Sequence, residues 1–199
     1  MILRVMRGRG TGEQVVRLRA AIDSGAAARL GLERCHVACR PSKPRPGEGT
    51  QPANELDVVV IAHWSSADAA AAADASGTSP LSSLRRFLGD VEVVHFEVDA
   101  SIRRQSDDEP VAIRIATGTF SRHGADSEMQ DLLRQRAPLI DDAMAEAWVG
   151  RRLTGRAVEV TFVSTWRRLP ADRPLDEAFW PDIALRYDQF AVEVYTAAE

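Results

Sequence analysis

The sequence predicts an α+β protein built from two tandem β-α-β-β-α-β units, and three observations carry that prediction. Each half contains short runs rich in Val and Ile, the β-branched content expected of strands. Between these runs lie stretches with apolar residues at helical spacing, some opened by capping residues. After a polar stretch near the middle of the chain, the same order of elements starts again.

The first strand is Ile2 to Gly8, with alternation that places Leu3 and Val5 on one face. Thr11-Gly12-Glu13-Gln14 has capping-box spacing, and Val15, Leu18, Arg19 and Ile22 continue at helical spacing, so a helix follows. A second strand leads from Leu30-Gly31-Leu32 to about Arg40. The segment from Pro41 to Asn54 is rich in Pro, Gly and Ser, the composition of a flexible surface loop. Leu56 to Trp64 is the strongest strand signal, β-branched throughout its middle. Ser65-Ser66-Ala67-Asp68 opens an Ala-rich helix interrupted near Gly77. Leu81 to Leu88 continues helical, and Val91 to Val98 is the fourth strand.

The polar stretch from Ser101 to Pro110 marks a linker, so the predicted units are residues 1–100 and 111–199 with 101–110 between them. In the second unit, Val111 to Gly118 is a strand. Ser127 with Gln130 repeats the capping-box spacing, and Met129, Leu132, Leu133 and Arg136 form a helical face that Pro138 should end. A strand is expected from about Trp148 to the turn at Thr154. Val158 to Trp166 is a further strand, Leu175 to Tyr187 a helix broken at Pro181, and Phe190 to Thr196 the last strand.

Composition removes several classes of function. Of the 199 residues, 45% are hydrophobic and 27% charged, enough apolar material for packed cores. The net charge of -4 supplies no positive field for phosphate backbones or anionic lipid, so neither nucleic acid nor membrane is an expected partner. No apolar run approaches the roughly 20 residues of a spanning helix. No signal-peptide pattern follows Met1, so a cytoplasmic protein is expected. Cys35 and Cys39 lie four apart on a strand, about 13 Å, too far for a disulfide. No second Cys or His pair has ligand spacing, so free thiols are expected, with no metal and no cofactor.

Local matches tie the two halves together. Arg4-Val5-Met6-Arg7-Gly8 aligns with Arg114-Ile115-Ala116-Thr117-Gly118. Ala62-His63-Trp64-Ser65 aligns with Ser164-Thr165-Trp166-Arg167, and Glu97-Val98 with Glu193-Val194. Each half therefore has the ferredoxin-like order. A unit of this size whose third strand ends in Trp and leads through a polar residue to a helix resembles the antibiotic biosynthesis monooxygenase-like domains of the dimeric α/β-barrel superfamily. The resemblance implies that two units close one α/β barrel, here within a single chain, and that a homodimer is the assembly to expect beyond it. It also implies a small-molecule ligand, aromatic or polyketide-like, held between sheet and helices.

That family includes oxygenases that use neither metal nor flavin, because the substrate carbanion itself reduces O2. The protein then binds the substrate, assists its deprotonation and stabilises the anion. The resemblance assigns Trp64 and Trp166 to the pocket side, although strand-end tryptophans also serve as core filling. His63 is adjacent to Trp64 and so points to the opposite face. His63, Trp64 and His95 are the candidate catalytic residues, with His123 a further histidine; a lone His is more often a half-buried polar residue. Arg4, Arg114 and Trp166 are the candidates for substrate binding. The ordinary place for such arginines is the solvent edge of a sheet. The haem-degrading relatives resemble one another in an Asn near the first strand and a His on the second helix. This chain has neither, so haem degradation is not expected. The competing class is a non-catalytic protein of the same fold that binds a small ligand or another protein, since no Ser-His-Asp arrangement, phosphate-cradling loop or paired-carboxylate motif stands out.

Overall fold

The structure, a computed structural model, describes residues 1–23, 30–43, 54–104, 109–121, 125–136, 139, 142–154, 157–170 and 174–197. Among the described residues, eight strands and five helices form two compact units. The first comprises Met1–His95 with Tyr195–Glu199, and the second Phe96–Val194.

In the first unit the elements are β1 (Ile2–Thr11), α1 (Gly12–Asp23), β2 (Leu32–Pro41), β3 (Glu55–Trp64), α2 (Ala67–Ala75), α3 (Pro80–Phe87) and the start of β4 (Gly89–Arg103). Strand β3 is antiparallel to both β1 and β2, and β4 lies beside β1, the 4-1-3-2 order of a ferredoxin-like sheet. The helices cover one face of that sheet. There Met6, Val58, Val60, Ala62 and Trp64 pack against Val15 and Leu18 of α1, Ala70 and Ala73 of α2, and Leu81 and Leu84 of α3. Each fully buried Val, Leu or Met side chain among these stabilises by about 1.5–3 kcal/mol relative to exposure. Leu3, Val5, Val59 and Ile61 alternate with these residues onto the other face and are also buried, which is why β3 reads as a continuous apolar run.

Capping fixes where the helices start. Thr11 N–H donates to Gln14 Oε1 at 2.7 Å and Gln14 N–H to Thr11 Oγ1 at 3.4 Å, the reciprocal box expected from their spacing. Ser66 Oγ accepts from Ala69 N–H at 3.0 Å, and Ser79 Oγ from Ser82 N–H at 3.1 Å, so the Ala-rich stretch forms two capped helices. Gly77 separates them at a φ of +70°, a conformation that favours glycine.

In the second unit, β5 (Ala112–Phe120), α4 (Ala125–Arg136), β6 (Met144–Thr154), β7 (Ala157–Trp166), α5 (Pro181–Ala184) and β8 (Gln189–Ala197) repeat the order. Strand β7 is central between β5 and β6, with β8 beside β5. The register repeats as well. Trp64 faces Ile2 and Leu32, while Trp166 faces Ala112 and Met144. Arg4 faces Ala62, while Arg114 faces Ser164. Even the irregularities correspond, with a register shift between Leu32 and Arg34 in β2 and another between Met144 and Glu146 in β6.

Several boundaries differ from the sequence expectations. Strand β4 continues to Arg103, so Ser101 to Arg103 of the expected linker are strand. Their backbone pairs with β6 from Trp148 to Glu146, and such pairing overrides a polar side-chain pattern. The strand expected from Trp148 already begins at Met144, because residues 144–147 pair with β7 as well. Helix α4 begins at Ala125, so Ser127 lies in its first turn and is not the N-cap. The helix expected over Leu175 to Tyr187 is only the four residues Pro181–Ala184, which start at the proline instead of being broken by it. The expected flexible loop falls largely outside the described residues, as does His123.

Candidate functional site

On the helix face of the first unit, Arg4 forms a two-pronged ion pair with Asp74 on α2. Its Nη1 donates to Oδ1 at 2.9 Å and its Nη2 to Oδ2 at 2.8 Å. The guanidinium lies 5.8 Å from the Trp64 ring centre. Asp74 is partly desolvated, which alone would raise its pKa. Hydrogen bonds from Arg4 and Ser79, with the charges of Arg4 and His95, outweigh this and hold the carboxyl below its ordinary value. The arginine expected at a solvent edge is only 5% exposed. Its position between Ile2 and Met6 on the helix-facing side of β1 takes it inside, where the carboxylate meets its charge.

The second unit solves the same problem differently. Arg114 is 2% exposed, and no carboxylate pairs with it among the described residues. Its Nε donates to the Leu175 carbonyl at 2.8 Å and its Nη2 to the Glu177 carbonyl at 3.1 Å, and its guanidinium lies 4.0 Å from the Phe179 ring centre. Burial lowers its pKa to about 10, so it is still a cation at neutral pH.

Arg114 lines a cleft whose other walls are largely aromatic, formed by Phe162, Phe179, Trp180, Tyr187 and Phe190, with Ala116 at its floor. The cleft encloses about 30 Å³, or about 350 Å³ with the open space at its mouth. Phe162 and Phe179 meet Trp180 edge-on at 6.4 and 6.1 Å. Tyr187 packs on Phe120 at 4.3 Å and on Phe190 at 5.3 Å. Its ring lies so close over Gly118 that any side chain there would overlap it, which gives the Gly in Thr117-Gly118 a physical reason. Burial pushes the Tyr187 phenol above its ordinary pKa, so it keeps its proton.

The sequence candidates therefore separate. Arg4, Trp64 and His95 gather near Asp74 in the first unit, with His95 exposed. His63 faces the other side of the sheet, as alternation requires, with Nδ1 3.1 Å from Glu33. Arg114 lines the cleft of the second unit, while Trp166 stands behind its wall, 5.5 Å from Phe179. Both tryptophans are completely buried, as strand-end positions before a polar residue predict. Sequence reasoning missed the cleft aromatics and Asp74. Phe179, Trp180, Tyr187 and Phe190 crowd into twelve residues of a chain that is 6% aromatic, and Asp74 is the single charge in the last turn of α2.

Cys35 and Cys39 are free thiols, and burial raises both pKa values, Cys35 to about 12. Among the described residues no group of three or more His, Cys, Asp and Glu side chains is arranged to hold a metal. No helix among them is long and apolar enough to cross a membrane.

No protein-family profile and no curated protein matches the chain. Solved structures do match. A protein from Fusobacterium nucleatum subsp. nucleatum, provisionally described as a monooxygenase, aligns at a TM-score of 0.70 and 8% identity, covering 100% of this chain and 92% of that one. An anthrone oxidase-like protein aligns at 0.52 and 13% identity, over 98% and 91% of the two chains. A ferredoxin-fold protein of Listeria monocytogenes, related to antibiotic biosynthesis monooxygenases, aligns at 0.51 and 10% identity over 100% and 95%. The fold of this chain is thus that of the antibiotic biosynthesis monooxygenase-like proteins.

Proposed function

We propose that the chain is a monooxygenase of the kind that needs neither metal nor flavin, acting on a small aromatic or polyketide-like compound in the cleft of the second unit. The observation that carries this reading is a buried cation, Arg114, set among aromatic walls with no carboxylate among the described residues to neutralise it. Aromatic walls of this kind favour stacking of a flat ring at the cleft. Its oxygen, as phenolate or enolate, faces the guanidinium, which has donors left beyond its two backbone bonds. The protonated Tyr187 phenol is a second donor to such an oxygen.

In the reaction, an activated CH2 loses a proton and the carbanion passes one electron to O2. The radical pair joins as a hydroperoxide, which loses water to leave a ketone, so one CH2 and one O2 give one C=O and one H2O. The electrons come from the substrate. Duplication of one unit, with both closing the α/β barrel that the resemblance implies, belongs to the same proposal. So does a small-molecule ligand as the principal partner.

A second reading, a non-catalytic binder of the same ligand, is favoured by one observation: the described residues lining the cleft carry no carboxylate or imidazole to take the proton. Two measurements on the full chain separate the readings. Binding of 1-naphthoate should raise the thermal midpoint, and Arg114→Met should abolish that rise. Anthrone should then consume O2 one for one in the wild type above the rate in buffer. Binding without O2 uptake leaves the binder; absence of binding overturns both.

A further inference from the structure

The enclosed part of the cleft in the second unit, about 30 Å³, has room for about two water molecules, whereas pockets that enclose an organic ligand run to about 300–1,000 Å³. The larger figure of about 350 Å³ includes the open mouth. A ring-sized ligand is therefore enclosed only if one wall moves. Arg114, Ala116 and Phe162 lie on β5 and β7, which are tied by an antiparallel ladder, and Leu133 lies on the twelve-residue helix α4. The remaining wall, from Ala178 to Phe190, belongs mostly to the connection between β7 and β8, in which α5 supplies four residues of helix.

That connection is pinned at both ends and latched in the middle. At its start, Arg114 holds the carbonyls of Leu175 and Glu177 at 2.8 and 3.1 Å. At its end, Asp188 N–H donates to the Thr119 carbonyl at 2.9 Å, and Asp188 Oδ2 accepts from Ser121 N–H at 2.6 Å and Ser121 Oγ at 2.7 Å. Between these points two ion pairs join it to α4. Arg136 Nη1 and Nη2 meet Asp182 Oδ1 and Oδ2, each at 3.1 Å, and Arg186 Nη1 meets Glu128 Oε1 at 2.9 Å. Both pairs lie on the surface, where an ion pair is weak and readily exchanged for water. The backbone bonds from the N–H groups of Ile183 to Tyr187 run to carbonyls between Trp180 and Ala184, so a swing of the segment as a body breaks none of them. What such a swing parts are ring contacts, Trp180 on Phe162 and Tyr187 on Phe120.

We infer that residues 178–187 form a strap that swings out to admit a ligand to the cleft, and that the Arg136–Asp182 and Arg186–Glu128 pairs are the latch that sets how often it opens. The inference rests on the reading of the cleft as a ligand site and adds to it the control of entry. The pins at Glu177 and Asp188 place the hinges. The four latch residues are not among those lining the cleft, so removing them changes entry without changing what the ligand touches. In the first unit the corresponding connection folds as two capped helices of nine and eight residues packed on the sheet. Only the second unit exchanges that packing for a short helix held to its neighbour by surface charge.

The test first reads the strap without ligand. Ala116→Cys places a thiol at the cleft floor of the full chain, with Cys35→Ala and Cys39→Ala removing the other thiols, and N-phenylmaleimide serves as a neutral, ring-sized reagent. Arg136→Gln, Asp182→Asn and Glu128→Gln should each speed labelling about two- to fivefold, the worth of one exposed ion pair. Arg136→Gln and Asp182→Asn change the net charge in opposite directions, so a common sign excludes an effect of the field. Arg136→Asp combined with Asp182→Arg should restore the slow rate. Stopped-flow binding of 1-naphthoate to the same latch variants without the Ala116→Cys change gives the second reading. Association and dissociation should quicken together while Kd stays within about twofold of the wild type, as for a gate that the ligand does not touch. The inference is overturned if the latch variants label like the wild type, if the two opposite charge changes act in opposite senses, if the charge swap labels like the single variants, or if Kd changes while the dissociation rate does not follow. Labelling that responds as expected in a chain that does not bind 1-naphthoate supports the strap and overturns the function proposed for the cleft.

Discussion

The helix-facing sides of the two units begin from the same scaffold and end in different interiors. Both have a central strand ending in Trp, a bulge on the neighbouring strand, and an arginine two residues along the first strand from the partner of that Trp. In the first unit, two capped helices lay Ala70, Ala73, Leu81 and Leu84 against the sheet, and Met6 occupies the position that Ala116 has in the second. In the second unit the corresponding connection has one four-residue helix and a run of aromatics, and Arg114 is held by two carbonyls of that connection. Strand order and register tolerate this divergence because they rest on backbone pairing. What fills the helix-facing side is set by the connection between the third and fourth strands, which is free to change.

The sharpest way to break the comparison is to remove the tryptophans. Trp64→Ala and Trp166→Ala should each destabilise by about 3–5 kcal/mol in denaturant unfolding, since both rings are fully buried. A loss below that range for one of them would mean that its site collapses around the deletion. Next come the glycines. Gly118→Ala drives a methyl into the Tyr187 ring and should cost about 1–3 kcal/mol or more by overpacking. Gly8→Ala should cost less, because Leu88 Cδ1 would be 3.1 Å away at the end of an aliphatic chain that can move.

Replacing each tryptophan by Phe sharpens the contrast further. Trp166→Phe deprives Ser164 of its partner, whereas Trp64→Phe removes an indole N–H that has no acceptor among the described residues. Trp166→Phe should therefore cost about 1 kcal/mol more than Trp64→Phe. Equal costs would show that the indole bond contributes nothing. The smallest effect concerns Asp74. Its pKa is lower folded than unfolded, so its contribution is fully present above its ordinary value of 3.8 and is lost as pH falls through the folded value. The stability difference between wild type and Asp74→Asn should hold at pH 5 and shrink towards pH 2, by acid titration at fixed denaturant. A difference independent of pH would remove the ion pair as its cause.

Strand positions and the repeat were legible because their signals are local. A run such as Val58-Val59-Val60-Ile61 suits nothing better than a strand buried on both faces, and Thr11 with Gln14 announces the first helix without help from the rest of the chain. The second capping-box reading failed on the same ground. Ser127 and Gln130 have the right spacing, but α4 begins earlier at Ala125, and spacing cannot see where a helix starts relative to its sheet. The helix expected over Leu175 to Tyr187 forms only at Pro181–Ala184, and the aromatic contacts of this segment, Tyr187 on Phe120 and Trp180 on Phe162, are with residues far away in sequence.

By itself, then, the sequence determined the element order, the doubled ferredoxin-like pattern, the strand ends at Trp64 and Trp166, and the alternation that sends His63 away from Trp64. Each of these depends on residues within a few positions of one another. Tertiary structure alone decided that Arg4 meets a carboxylate and Arg114 meets carbonyls, and that no described residue gives the Trp64 indole the acceptor that Ser164 gives Trp166. It also decided that Phe179, Trp180 and Tyr187 wall a cleft. Those outcomes rest on contacts between residues as far apart in the chain as Arg4 and Asp74, or Arg114 and Leu175, and no local pattern encodes which distant partner a buried donor will find.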